Sequence, residues 1–242
     1  MTAPRRTARL EHRLTRPTAS LAELDAAIQL AVEHELGSLM VSPWLVKTAG
    51  RRLGRSPVRI ATVIGFPHGG QVAAVKAFEA STALQDGATQ LDFVLNAGAL
   101  ISGDELAVLD DMLAVVEMVH SAVAVAGVIV QTGNLDDELI RRACRLAARA
   151  GVDSVVTSCG DDPAAATARQ AGLLRRCVGD ELEVAAAGAL LDLSELVAAV
   201  SAGANRISTS FSPELAAAAT AWLRGSATAA QPSLADVGAA VG

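Results

Sequence analysis

GVDSVVTSCG, residues 151–160, decides the fold. A glycine closes a helical run, an apolar run follows, and the run empties into a Thr/Ser/Cys/Gly loop. Glycine past a helix end takes the left-handed conformation cheaply. The same grammar recurs at Gly37 before SLMVS, Gly87 before ATQLDFV and Gly203 before ANRISTS. The runs after each glycine are mostly apolar rather than alternating, as expected of parallel strands covered on both faces.

Working outward gives eight candidate strands, at 9–14, 38–42, 58–64, 89–95, 125–131, 152–157, 182–187 and 205–209. Helical patterns separate most of them. Ser20 and Glu23 form a capping box, with Leu24, Ile28, Ala31 and Val32 on one face behind it. Asp192 and Glu195 repeat the box, and Asp162-Pro163 and Ser212-Pro213 pair an N-cap with a first-turn proline. Eight strands alternating with helices predict a single-domain α/β fold, a (β/α)8 TIM barrel, over residues 1–225. Residues 226–242 read as a loosely ordered tail.

The 242-residue chain carries a net charge of −6 and has no basic patch, so nucleic acid is not an expected partner. No uncharged apolar run reaches membrane-spanning length, no signal-peptide core is present, and the three cysteines have no metal-ligand spacing. Expected are a cytoplasmic location, no membrane association, no metal and no cofactor. Lysine occurs only as Lys47 and Lys76.

In such barrels the site sits at the C-terminal ends of the strands. Polar residues there are Glu11, His12, Ser42, His68, Asp92, Asn96, Gln131, Thr132, Thr157, Ser158, Cys159, Ser208 and Ser210. A mid-strand Asp92 is costly to bury unless paired or functional. His68, if it faces inward, is a general acid or base near neutral pH. Gln131 reads as an orienting hydrogen-bonder or a barrel-interior partner. Cys159 would need a nearby base or helix N-terminus to become a thiolate. Glu11 and His12 read as supporting residues, Cys144 and Cys177 as packing residues, and His34 and His120 as helix-surface residues.

TVIGFPHG (62–69), VKAFEA (75–80), DGATQLDFVLNAGALISGD (86–104), the 151–160 segment and SAGANRISTS (201–210) resemble the deoxyribose-phosphate aldolase family, and LEHRLTRP (10–17) resembles its opening. The resemblance implies class I aldol chemistry: a strand-6 lysine attacks a carbonyl, a strand-7 lysine lowers its pKa, and a strand-4 Asp moves protons. It also implies a dimer or larger assembly. Asp92 matches the family's acid. The lysine positions are Val156 and Ala185, which cannot form an iminium. Of the family's phosphate cradle, Gly160, Gly188 and Ser210 remain, while Asp161, Ala189, Ser208 and Phe211 depart from it. Lys47 and Lys76 read as solvated surface lysines, poor nucleophiles because they stay protonated.

Two functions follow. One is a repurposed enzyme acting on a carbonyl-bearing small molecule by acid/base lyase, cyclase or dehydratase chemistry, with specialised biosynthesis as its expected setting. Its catalytic pair is Asp92 and His68. Substrate contacts come from Asn96, Gln131, Val156, Thr157, Ser158, Cys159, Gly160, Ala185, Gly188, Ser208 and Ser210. The other is a catalytically silent homologue serving as a binding or scaffold subunit. An open pocket lined by Asp92 and His68 favours the first; a filled barrel with Asp92 tied into a network favours the second. Authentic deoxyribose-phosphate aldolase activity is the least expected reading.

Overall fold

All eight runs form strands in the computed structural model, which describes residues 9–159 and 168–225. The strands are β1 (Leu10–Leu14), β2 (Ser38–Val41), β3 (Arg59–Ile64), β4 (Gln90–Val94), β5 (Val125–Ile129), β6 (Ser154–Val156), β7 (Glu183–Ala187) and β8 (Arg206–Thr209). They pair in parallel, in sequence order, and β8 closes on β1. The chain is a single closed (β/α)8 barrel over the described residues. The tail expected at 226–242, and the Asp162-Pro163 cap, lie outside them.

Helices α1 (Leu21–Glu33), α2 (Val46–Leu53), α3 (Ala73–Gln85), α4 (Ala97–Ile101), α5 (Glu105–Ser121), α6 (Asp137–Ala150), α7 (Ala168–Val178), α8 (Leu193–Ser201) and α9 (Pro213–Gly225) alternate with the strands. The Ser20–Glu23 capping box forms in both directions. At α8 only half of the expected box forms. Asp192 caps the Glu195 N–H, but the Glu195 carboxylate accepts from Leu191 instead of the cap residue. Ser212 caps α9 through the Leu215 N–H. Val32 departs from the expected buried face of α1. It is exposed, and Ala27 takes its place beside Leu24 and Ala31.

Three of the four helix-ending glycines have positive φ, at Gly87, Gly151 and Gly203. After α1 the left-handed turn is made by Glu35 instead, and Gly37 donates its N–H to Leu10.

Strand alternation divides the core in two. One set of side chains, including Leu39, Val41, Phe93, Val128 and Val155, faces the helices and joins their apolar faces in one large cluster. The other set faces the barrel axis. The axis itself has two levels. Near the N-terminal ends of the strands it is polar, with Glu11, Ser38, Gln90, Asp92, Ser154, Arg206 and Ser208, all buried. Toward the C-terminal ends it is mostly apolar, with Met40, Ala61, Val63, Val94, Ile129, Val156, Ala185 and Ala187, and the buried Arg13 of β1 is the exception.

Gly69, in the β3–α3 loop, has φ 71°, and a Cβ there would stand 2.2 Å from the Leu95 carbonyl oxygen. This close approach seats the loop on the end of β4. Gly69→Ala is expected to lose roughly 2–4 kcal/mol of stability in urea unfolding, through strain and overpacking. Gly70→Ala, where a Cβ meets nothing within 4 Å, is expected to stay within about 0.5 kcal/mol of wild type.

Candidate functional site

The centre of the barrel is an ion cluster. Arg206 donates from Nη1 to both Glu11 oxygens at 3.0 and 2.9 Å, and to Asp92 Oδ2 at 3.0 Å. Its Nη2 reaches Asp92 Oδ1 at 3.2 Å and Ser154 Oγ at 3.4 Å. Ser38, Gln90 and Ser208 donate to the Glu11 carboxylate at 2.7, 2.7 and 2.6 Å. Gly127 makes the space, since a Cβ there would lie 2.3 Å from Asp92 Oδ1. A glycine inside a strand is the sequence sign of such an approach.

Two carboxylates share one guanidinium, and their pKa values separate. Burial raises both, and Arg206 pulls both down. Glu11, with hydrogen bonds from Ser208 and Ser38 besides, is held below the ordinary carboxylate range. Asp92 stays above it, raised by burial and by the neighbouring Glu11 charge. Arg206 is held more firmly charged by both carboxylates.

Asp92 and His68 are not brought together. Asp92 is 1% exposed at the polar level, and His68 is exposed on the loop after β3. Ser208 points to Glu11 on the axis rather than to a ligand at the mouth. Asn96 caps α4 by accepting the Ala99 N–H. Thr157 is locked between β6 and β7: its hydroxyl donates to the Ala187 carbonyl at 3.0 Å and accepts the Ala187 N–H at 2.9 Å. Gly188 donates its N–H to Ser208. Ser210 donates to the Arg13 carbonyl. With Ala189 and the buried Phe211, Ser210 lines a groove of about 730 Å³ beside α1. Phe211 therefore packs in the outer core rather than in the barrel interior. Gly160 and Asp161 lie outside the described residues.

Val156 and Ala185 are register partners on β6 and β7 and belong to the same apolar level, at 1% and 0% exposure. Above them, Gln131 in the left-handed region donates to the Pro67 carbonyl at 2.6 Å and to Cys159 Sγ at 3.5 Å. The Cys159 thiol donates to Pro67 as well, at 3.4 Å. Burial pushes that thiol up, and Arg13 and Gln131 offset this only in part, which disfavours a thiolate nucleophile. Arg13 was not singled out in the sequence. From β1 it crosses to β6, donating to the Cys159 carbonyl at 2.7 Å and the Ser158 carbonyl at 3.5 Å. Among the described residues no group of three or more His, Cys, Asp or Glu side chains could hold a metal. No described helix is long and apolar enough to cross a membrane.

The family model for the DeoC/LacD family aldolases matches residues 8–220. The chain belongs to the DeoC/LacD aldolase family. It is 40% identical over 201 residues to a deoxyribose-phosphate aldolase of Streptococcus equi subsp. zooepidemicus, covering 83% of this chain and 90% of that one. It is 39% identical over 203 residues to that of Thermococcus gammatolerans, again covering 83% and 90%. Among solved structures it resembles QR15, an aldolase, with TM-score 0.82 and 30% identity over 90% of this chain and 96% of the other. It also resembles the tetrameric deoxyribose phosphate aldolase of Aeropyrum pernix, with TM-score 0.75 and 27% identity over 93% and 91%.

The two lysines of this DeoC/LacD barrel stand in different settings. Lys47 is a surface lysine, 3.2 Å from Asp86. Lys76, expected to be solvated, is fully buried. It lies on the helix side of the wall between α3 and β4, donating to Asp111 Oδ2 at 2.6 Å and to the Val94 carbonyl at 2.8 Å. Burial lowers its pKa against the pull of Asp111.

Lys76→Met leaves a buried carboxylate without its partner and is expected to cost about 3–5 kcal/mol in urea unfolding. Adding Asp111→Leu is expected to recover most of that loss. His12 lies on β1 with Nδ1 buried and unpartnered, and burial lowers its pKa from 6.5 to about 4. The folded state resists a proton that the unfolded state accepts, so stability is full above pH 6.5 and falls toward pH 4. The drop through this residue is about 3 kcal/mol. His12→Gln is expected to flatten that part of the stability–pH curve relative to wild type.

Proposed function

We propose that this DeoC/LacD-family barrel does not carry out Schiff-base aldol chemistry. The observation behind the proposal is where its two side-chain amines lie. An iminium requires a primary amine within reach of a substrate carbonyl. Lys47 is outside on α2, and Lys76 is buried behind the barrel wall in an ion pair with Asp111. The positions that the family resemblance gives to the two lysines hold Val156 and Ala185. The names of the relatives favour deoxyribose-phosphate aldolase as the activity, and the lysine geometry argues against it.

Two uses remain for such a barrel. A non-catalytic binding or scaffold subunit is favoured by the burial and pairing of Asp92. Asp92 is 1% exposed, both of its oxygens are bonded to Arg206, and an apolar level lies between it and the mouth. The second reading is an acid/base enzyme, of lyase, cyclase or dehydratase type, acting on a carbonyl-bearing small molecule. It is favoured by the raised pKa of Asp92, since burial that strengthens a carboxyl's hold on a proton brings it nearer to acid/base use. It requires the apolar level to open.

The test is borohydride reduction in the presence of acetaldehyde or deoxyribose 5-phosphate, read by intact mass and peptide mapping beside an assay of deoxyribose 5-phosphate cleavage. The expected result is an unchanged barrel mass and cleavage no faster than in buffer. A reduced adduct mapped to Lys76, together with turnover, would restore the aldolase reading. If a substrate is found that turns over without an adduct, Asp92→Asn separates the other two: loss of turnover with retained fold selects acid/base chemistry.

A further inference from the structure

The groove of about 730 Å³ between α1 and the end of β8 has the size of a small-molecule site. Leu14, Leu30, Leu191 and Phe211 give it apolar walls. One polar side chain in the wall lacks a partner. His12 stands on β1 between Glu11 and Arg13, so strand alternation turns it from the axis toward the helices. It lines the groove at 8% exposure, and its Nδ1 is buried with no hydrogen-bond partner among the described residues. Because Nδ1 is covered, the ring opens to the groove along the opposite edge, which carries Nε2. Burial, which takes its pKa down to about 4, keeps the ring neutral at neutral pH. A neutral imidazole has a single N–H. Buried donors are left orphaned more rarely than buried acceptors, so the proton belongs on Nε2. His12 thereby turns a hydrogen-bond donor toward the groove.

We propose that this groove binds a small uncharged molecule with an apolar body and one carbonyl or hydroxyl oxygen, which accepts a hydrogen bond from His12. The leucines and Phe211 take the apolar body, and the imidazole fixes its orientation. The charges around the groove are already engaged. Arg16 is ion-paired with Glu23, and Arg13 donates to the Ser158 and Cys159 carbonyls. Glu33 adds a negative charge to the lining, and the Ser210 hydroxyl is committed to the Arg13 carbonyl. A phosphate or carboxylate would lose its hydration there without gaining a cation of its own. The groove lies outside the barrel axis, so the proposal holds whether or not Asp92 takes part in chemistry.

Titration of the full chain with cyclohexanol tests this, followed by two-dimensional NMR of the backbone amides and the histidine rings. Saturable binding with a millimolar dissociation constant is expected, with shifts at His12, Ala26, Leu30 and Phe211. The His12 Nδ1 resonance is expected at the unprotonated position. His12→Phe keeps a ring in the wall and removes the donor; it is expected to weaken binding by roughly tenfold. Ala26→Trp, at an exposed position in the lining, is expected to abolish binding with the far-UV circular dichroism of wild type. If His12→Phe does not fold, Ala26→Trp and the His12 tautomer decide. Absence of saturable binding overturns the proposal, as does a proton on Nδ1 or binding that survives Ala26→Trp. Shifts centred on Gln131 and Cys159 at the barrel mouth, or tighter binding of inorganic phosphate or cyclohexanecarboxylate than of cyclohexanol, count against it equally.

Discussion

One guanidinium shared by two carboxylates sets the interior of this barrel. Arg206 on β8 holds Glu11 of the adjoining β1 and Asp92 of β4 across the barrel, so three strands converge on one cation. Ser38, Gln90, Ser154 and Ser208 supply the remaining hydrogen bonds, and Gly127 gives up its side chain to make room. Each of these choices is intelligible only in the presence of the others, because removing one partner leaves a charge buried without compensation. The polar level this creates also fixes where the apolar level must be. With the ion cluster gathered at the N-terminal half of the axis, the half nearer the mouth holds Met40, Val63, Val94, Ile129, Val156 and Ala185, with the buried Arg13 as its charged member.

The fold was legible because its signals are local. Glycine-bounded apolar runs mark parallel strands, and Ser20–Glu23 or Ser212-Pro213 mark helix starts, each within a few residues. The candidate site was less legible because its partners are remote. The cost of burying Asp92 was readable from its neighbours, but Arg206 lies 114 positions away on another strand. Alternation shows that Asp92, Val94, Val156 and Ser208 share a face; it does not show at which height along the axis each one sits. That is why Ser208 looked like a ligand contact and turned out to serve Glu11. Gly127, inside a strand with no turn to make, was the available sign of the cluster.

Helix α3 inverts the usual reading of an amphipathic pattern. Its buried side is lined by Lys76, Ala80 and Ala83, and its solvent side by Val75 and Phe78. The lysine can turn inward because Asp111 on the adjoining α5 and the Val94 carbonyl at the end of β4 both receive it. Small alanines then allow α3 and α5 to approach closely around that pair. Residue type alone assigns lysine to water, and only the companion carboxylate, brought by a different helix, reverses the assignment.

The apolar level around Val156 and Ala185 bears on which side chains the barrel axis accepts. Both side chains are buried in a cluster with Met40, Val63, Val94 and Ile129, so a lysine at position 156 would place its ammonium among apolar neighbours. Overpacking alone costs about 1–3 kcal/mol, and the unpaired ammonium adds to it. A charged side chain is accommodated there only together with a polar partner, as Arg206 is among its carboxylates. The apolar level thereby acts as a filter on substitution: apolar replacements at positions 156 and 185 keep its packing, and charged ones do not.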